Sequence, residues 1–228
     1  MSSFLSSSIG KKLFMSLTGF FLMSFLLVHL GINLLLIFDD TGELFNQGAN
    51  FMGTNPIIKI VEPVLALGFL LHMLYASYLT ILNMMARPLG YAKVNQKNAS
   101  KWASRNMFVL GALILAFLVL HIMNFYWKIK VDHSVTSVMV NGEEMHNTYA
   151  LVAGLFTDGT YGLIYSLIYI AGSILLGIHL THGFWSAFQT IGWSGDIWRN
   201  RLENVGMVLA IILAIGFSII PLYFIIKF

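Results

Sequence analysis

The sequence contains no cysteine and few charged residues. Without a thiol, the chain cannot form a disulfide, hold an iron–sulfur cluster through cysteine or attach a cofactor through a thioether. Charged residues make up 10% of its 228 positions, whereas a soluble domain carries about 25%. Glycine-rich phosphate loops and dinucleotide fingerprints are also missing from the sequence. These absences exclude an ordinary soluble nucleotide-dependent enzyme domain.

Apolar residues dominate the composition. They account for 57% of the chain and give it a mean hydropathy of +0.78. A membrane-spanning helix needs about 20 mostly apolar residues, and five segments reach that length. These segments cover residues 13–38, 57–86, 104–128, 160–190 and 204–226. The sequence therefore predicts an all-α fold, a polytopic membrane bundle of five transmembrane helices formed by one domain over residues 1–228.

Charge alternates between the connections of the five predicted spans. The N-terminus and the connections 87–105 and 191–203 contain nine of the 13 basic residues, namely Lys11, Lys12, Arg87, Lys93, Lys97, Lys101, Arg105, Arg199 and Arg201. The opposite side contains eight of the ten acidic residues, namely Asp39, Asp40, Glu43, Glu62, Asp132, Glu143, Glu144 and Asp158. The positive-inside rule then predicts a cytoplasmic N-terminus and an outer C-terminus. In the longest outer connection, 129–158, Asn141-Gly142 predicts a tight turn and a short hairpin.

Four predicted spans each contain a histidine at an apolar position. These are His29, His72, His121 and His179. Ionisable side chains are rare in membrane helices and usually serve a function there. Hydrogen bonding to a neighbouring helix would explain one buried histidine, but no carboxylate partner lies near any of the four. Because paired imidazoles are common axial ligands of haem, the set predicts two b-type haems enclosed by the bundle.

The depth of each histidine suggests how the four would pair. His29 and His121 lie 17 and 16 residues from Lys12 and Arg105, or about 25 Å from the cytoplasmic boundary at 1.5 Å per residue. The other two, His72 and His179, lie about 20 Å from it by the same rise. Depth alone does not decide the pairing.

A further histidine, His182, shares a helix face with His179. Either of the two could ligate, and the other would be a haem neighbour. The nearby glycines Gly68 and Gly183 fit either a haem or close helix packing.

The chain resembles a known family over nearly its full length. It is similar to the di-haem cytochrome b membrane anchor of succinate:quinone oxidoreductase, in its single-chain, five-helix form. The resemblance rests on size, span order, the four histidines, and the stretches His179-x-x-His182-Gly183-Phe184-Trp185-Ser186 and Ile191-Gly192-Trp193. It implies that His179 is the ligand in the fourth span. It also implies an outer (distal) haem on His29 and His121 and an inner (proximal) haem on His72 and His179.

The resemblance also implies an activity and partners. The chain would be the electron-transfer subunit of respiratory complex II in a bacterial cytoplasmic membrane, not an enzyme alone. A flavoprotein and an iron–sulfur protein would bind on the cytoplasmic side, where the basic 87–105 connection and Trp102 offer a docking face. The remaining contacts would be membrane lipid and a quinone, with menaquinone expected and no nucleic acid. Some fumarate reductases of the family have a glutamate where this chain has Gly177, which favours succinate oxidation here.

Quinone reduction requires protons, so a quinone site on the outer side calls for a carboxylate near the membrane surface. Glu62 is the first candidate for this role, and Asp39, Asp40 and Glu43 are alternatives.

Two other classes of protein remain as hypotheses. A cytochrome b of a hydrogenase or formate dehydrogenase would keep the haems and change the partners. A haem-free channel or carrier would be expected to contain broken helices or paired intramembrane charges, which the sequence lacks.

Overall fold

Nine α-helices, one π-helical segment and one β-hairpin make up the described part of the chain. A computed structural model describes residues 7–86, 102–193 and 195–228. In chain order the elements are α1 (Ser8–Phe38), α2 (Glu43–Thr54), α3 (Pro56–Met85), α4 (Trp102–Arg105), α5 (Met107–His121), the π segment (Ile122–Trp127), α6 (Lys128–Lys130), β1 (Ser137–Val140), β2 (Glu143–His146), α7 (Thr148–Thr157), α8 (Gly162–Thr190) and α9 (Asp196–Lys227). The predicted all-α class is confirmed.

Five of these helical stretches are long and apolar enough to cross a membrane. They are Ile9–Phe38, Pro56–Met85, Met107–Lys130, Gly162–Thr190 and Asp196–Lys227. The first and last extend beyond the apolar cores at 13–38 and 204–226. For α1 the reason is local, because the Ser7 side chain accepts a hydrogen bond from the Gly10 amide and caps the helix. At the third span, α5 begins at Met107, three residues later than expected.

The two last helices form the most extensive contact in the bundle. Small residues allow α8 and α9 to approach closely, since a Cβ on Gly177 would lie 2.9 Å from the Cβ of Ala214. Around them, α1 packs against α3, α8 and α9, while α5 packs mainly against α8. One buried cluster fills the space between α1, α8 and α9 and contains Met23, Leu30, Leu180, Ala210 and Leu213. The helix α3 is peripheral, with none of its most apolar window buried.

The third span changes its helical geometry immediately after His121. Helix α5 ends at that residue and six residues, Ile122–Trp127, continue as a π-helix before α6. Nothing in the apolar pattern of the sequence predicts this change. Because π segments are rare and often occur at functional sites, its position next to a predicted ligand is relevant to the site.

A small cap covers the end of the bundle where the acidic residues lie. It consists of α2, the β1–β2 hairpin and α7. The predicted turn is confirmed: β1 pairs antiparallel with β2, and Asn141 and Gly142 have φ angles of 52° and 84°, as a type I′ turn requires. Asn46 of α2 is buried, and its Oδ1 accepts hydrogen bonds from the Thr148 hydroxyl at 2.9 Å and the Tyr149 amide at 2.8 Å. These bonds fix α2 to α7.

Candidate functional site

Two of the predicted ligands meet between α1 and the end of α5. The ring centroids of His29 and His121 lie 5.7 Å apart, and the ring planes are nearly perpendicular at 87°. Both side chains are half-buried. The structure therefore brings together the two histidines that the sequence assigns to the outer pair.

Aromatic side chains surround this outer pair. Phe25 stacks on His29 with a centroid distance of 5.2 Å, and Phe217 of α9 lies 5.7 Å from the same ring. On the other side, Phe125 and Tyr169 lie 5.2 Å and 5.9 Å from the His121 ring. Such a shell is poor in hydrogen-bond partners, so a ring nitrogen enclosed by it needs another form of compensation.

A polar pair lies beside His121 within this shell. The Asn124 amide in the π segment donates to the Tyr169 hydroxyl of α8 over 3.1 Å. Both residues are buried. Sequence reasoning missed this pair because a single asparagine in an apolar span does not reveal its partner on another helix.

The second pair involves α3 and α8. The His72 Nδ1 lies 3.1 Å from the hydroxyl oxygen of Thr18 in α1. That hydroxyl is also within hydrogen-bond distance of the backbone oxygens of Phe14 and Met15, to which it donates. Its oxygen then accepts from His72 Nδ1–H, which leaves the Nε2 lone pair of His72 available. His72 and His179 are close enough for their charges to interact.

Two glycines that the sequence analysis did not single out adjoin this inner pair. A Cβ on Gly19 of α1 would lie 3.8 Å from His72 Cε1, and one on Gly111 of α5 would lie 4.0 Å from His179 Cε1. The glycines considered from the sequence lie elsewhere. A Cβ on Gly68 would be 3.0 Å from the Phe21 ring, and one on Gly183 would be 3.8 Å from Met107 Cε. Gly68 thus serves close packing of α1 against α3.

The histidine pairs can be compared with the requirements of a bis-histidine haem. An imidazole nitrogen bonds a first-row metal at about 2 Å, so two axial rings have centroids roughly 6 Å apart, close to the 5.7 Å between His29 and His121. Ordinary interhelical hydrogen bonding fits less well. The Nδ1 atoms of His121 and His179 are buried without a hydrogen-bond partner in the part of the chain that the structure describes. Ligation through Nε2 would leave these Nδ1 atoms without a partner as well, so the fit to haem depends on the imidazole donors, their apolar surroundings and the spacing of the outer pair.

At His29 the polar contact is weaker. The Asn33 amide donates to the backbone oxygen of His29 over 2.8 Å and lies 3.4 Å from its Nδ1. In this orientation the amide would favour a proton on Nε2, while the reversed amide would offer an oxygen to Nδ1–H. A simple reversal would place the Asn33 Oδ1 against the His29 backbone oxygen, so haem ligation through Nε2 of His29 requires the Asn33 side chain to turn away from Nδ1.

The other three histidines occupy different positions. His182 lies on α8 near His179, close enough for their charges to interact, which matches a neighbour of the site. His133 and His146 are exposed on the outer connection. Among the described residues, no group of three or more histidine or acidic side chains could hold a bare metal ion, whereas an axially ligated haem uses two protein ligands.

Glu62 lies in a polar cluster near the N-terminal end of α3. Its carboxylate accepts a hydrogen bond from the Tyr126 hydroxyl of the π segment. The Nζ of Lys130 in α6 lies 3.8 Å from its Oε2. The structure therefore brings a carboxylate, a phenol and an ammonium group together on two adjacent spans, and sequence reasoning had recognised only the carboxylate.

The alternative carboxylates serve the outer cap. Asp39 accepts hydrogen bonds from the amides of Thr41 and Leu44, and these bonds hold the pKa of its carboxyl below the usual value. Asp40 binds Tyr223 and Lys227 of α9, which lower its pKa. Both carboxylates thus have structural partners.

The predicted docking connection lies mostly outside the described residues. This applies to Arg87, Lys93, Lys97 and Lys101. Trp102 is described at the start of α4 and is 57% exposed. The connection before α9 contains Trp193, whose ring lies 5.0 Å from that of Trp198 in the first turn of α9, with the two ring planes tilted by 36°.

Fold and site together define an all-α protein with five helices long and apolar enough to span a membrane, with His29 next to His121 and His72 near His179. Comparisons with known protein families, curated proteins and solved structures find no match to this chain. The assignment of an activity therefore rests on the residues themselves.

Proposed function

We propose that the chain is the cytochrome b membrane anchor of a succinate:quinone oxidoreductase. The observation that supports this proposal is the contact between His29 and His121, whose ring centroids lie 5.7 Å apart, together with the proximity of His72 to His179. His29 and His121 would hold the outer haem b and His72 and His179 the inner one. When bound, haem supplies one-electron transfer between the iron–sulfur partner and a membrane quinone.

The residues of the chain would hold and insulate these groups. The four imidazoles would hold the two haem irons, and Thr18 fixes the tautomer of His72 by accepting from its Nδ1–H. Phe25, Phe125 and Tyr169 exclude water from the outer pair. A dry, apolar shell of this kind is one of the means by which a protein sets haem potential.

Glu62 would deliver protons to the quinone, with menaquinone as the expected substrate. Reduction to the quinol consumes two electrons and two protons. Tyr126 and Lys130 hold the Glu62 carboxylate at the outer end of α3, where it can pass on a proton and be reprotonated from outside. The N-terminus would then be cytoplasmic, together with the flavoprotein and iron–sulfur subunits.

Haem content tests the proposal. The purified complex should contain two haem b per copy of this chain in a pyridine haemochrome assay. His29→Ala and His121→Ala should remove the same low-spin signal in electron paramagnetic resonance, and His72→Ala and His179→Ala the other. His182→Ala, one turn from His179, is the matched control and should retain both. One haem or none in the unaltered complex would contradict the proposal.

Glu62 is tested separately from the haems. Glu62→Gln should lower succinate:menaquinone activity by about 100-fold, the lower end of the range for loss of a proton-transfer group. Succinate oxidation by an artificial acceptor, which bypasses the quinone, should be unchanged. Glu143→Gln, on the exposed hairpin, serves as the control. Equal activity of both variants with menaquinone would remove Glu62 from the proposed path.

A further inference from the structure

A cleft of about 490 Å³ lies between the end of α3 and the start of α5. Thr80, Asn83 and Met84 line it from α3, and Ser104, Arg105 and Phe108 from the α4–α5 junction. The apolar helix α3 ends at Met85 and α5 begins at Met107. The cleft therefore lies where these two spans leave the hydrocarbon layer, at the end of the bundle that carries most of the basic residues.

The lining combines two kinds of side chain. Asn83, Ser104 and Arg105 supply hydrogen-bond donors, and none of the described residues that line the cleft is acidic. A guanidinium group binds a phosphate through two parallel hydrogen bonds, which gives it both affinity and geometric selectivity. Met84 and Phe108 are apolar and are 69% and 51% exposed. A complementary ligand has an anionic head and a hydrocarbon body.

We propose that this cleft binds an anionic phospholipid. Its phosphate would lie against Arg105, Ser104 and Asn83, and its acyl chains would follow Met84 and Phe108. Basic pockets between transmembrane helices at the cytoplasmic side bind anionic lipid head groups in this way. Inorganic phosphate would satisfy the polar side chains alone and leave the apolar ones uncovered. The proposal is independent of the haems, because none of the four paired histidines lines the cleft.

Native mass spectrometry of the full chain in detergent can measure this binding. The probes are dioctanoyl-phosphatidylglycerol, dioctanoyl-phosphatidylcholine with the same chains and no net charge, and inorganic phosphate. We expect phosphatidylglycerol to bind most tightly. Arg105→Gln should weaken it by about 10-fold or more, as expected for loss of a charged hydrogen bond. Asn83→Leu should weaken it by about threefold, as expected for a neutral one.

Arg201→Gln is the matched control, since Arg201 is a basic residue at the same end of the bundle that lies over Trp198 instead. It should leave phosphatidylglycerol affinity unchanged. Arg105→Lys keeps the charge and should bind with intermediate affinity, because an ammonium lacks the guanidinium fork.

Three results would overturn the proposal. Equal weakening by Arg105→Gln and Arg201→Gln would show attraction to the basic surface as a whole. Inorganic phosphate binding as tightly as phosphatidylglycerol would rule out a lipid site. If Arg105→Gln leaves lipid binding unchanged and lowers the haem content, Arg105 supports haem binding and not lipid binding. Circular dichroism and gel filtration of each variant verify that it is folded.

Discussion

The hydrogen bond between Asn124 and Tyr169 holds the π segment against α8 beside His121. The donor–acceptor distance is 3.1 Å and each residue is 8% exposed. Tyr169→Phe removes the hydroxyl and keeps the ring, so the Asn124 amide loses this partner. Hydrogen bonds between membrane helices contribute about 0.6 kcal/mol on average and up to about 1.7 kcal/mol. Because the donor is left buried, we expect the free energy of unfolding to fall by about 1–1.7 kcal/mol.

A double-mutant cycle isolates this interaction from the loss of packing. Asn124→Leu and Tyr169→Phe each leave one polar group without its partner, whereas the double variant leaves neither. The double variant should therefore be about 1 kcal/mol more stable than the sum of the two single changes predicts. Unfolding is followed by circular dichroism during denaturant titration in mixed micelles. Tyr165→Phe, one turn earlier on α8, is the matched control and should be nearly neutral.

A small coupling energy between Asn124 and Tyr169 would contradict this prediction. A coupling energy below about 0.3 kcal/mol lies within the usual error of additivity and would show that the bond does not join the two helices. Tyr169→Phe should in addition alter the low-spin signal assigned to the outer haem, because the Tyr169 ring lies 5.9 Å from that of His121. An unchanged signal together with a coupling of about 1 kcal/mol would show that the bond stabilises the fold and does not affect the outer haem.

Three further predictions concern packing, pH and topology. Gly177→Ala should lower the free energy of unfolding by about 1–3 kcal/mol, because its Cβ would lie 2.9 Å from that of Ala214; Gly154→Ala, with open space around its Cβ, should not. The low pKa of Asp39 means that its bonds to α2 stabilise the cap above about pH 4 and are lost as the pH falls through the folded pKa. Hydrogen exchange at the Leu44 amide, corrected for its intrinsic pH dependence, should therefore accelerate on acidification, while Asp39→Asn shows no such step. Since the chain has no cysteine, an impermeant maleimide should label Glu144→Cys in intact cells and Ile197→Cys only after lysis; the reverse pattern would invert the orientation.

The five long helices could be predicted from the sequence because a membrane span is a local property. About 20 apolar residues are sufficient, whatever they contact. The hairpin was equally local, since Asn141 and Gly142 favour the positive φ angles that its turn requires. The helices α2 and α7 were missed because they are only 12 and 10 residues long and lie in connections where no span length applies. Their stability depends on tertiary contacts such as that of Asn46 with Thr148.

Some features of the candidate site could likewise be predicted from the sequence, and others could not. Depth along each helix suggested that His29 faces His121, because depth follows from rise per residue, and their rings are in fact neighbours. What lies beside a histidine depends on helix rotation, which depth does not specify. The glycines next to the inner pair are therefore Gly19 and Gly111, on other helices, and not the glycines one turn away. Gly177 acquires a packing role for the same reason, since α9 lies directly against it.

The π segment links the outer histidine pair to the proposed proton donor. It begins immediately after His121, and two of its six residues make polar contacts with different helices. Asn124 donates to Tyr169 on α8, while Tyr126 donates to Glu62 on α3. One short segment thus follows the proposed ligand His121 and supplies a buried amide and the hydroxyl bound to Glu62, the only carboxylate in the described part of α3. In the proposed function, electrons would leave the bundle and protons would enter it at this same end, so the local departure from α-helical geometry lies where both are required.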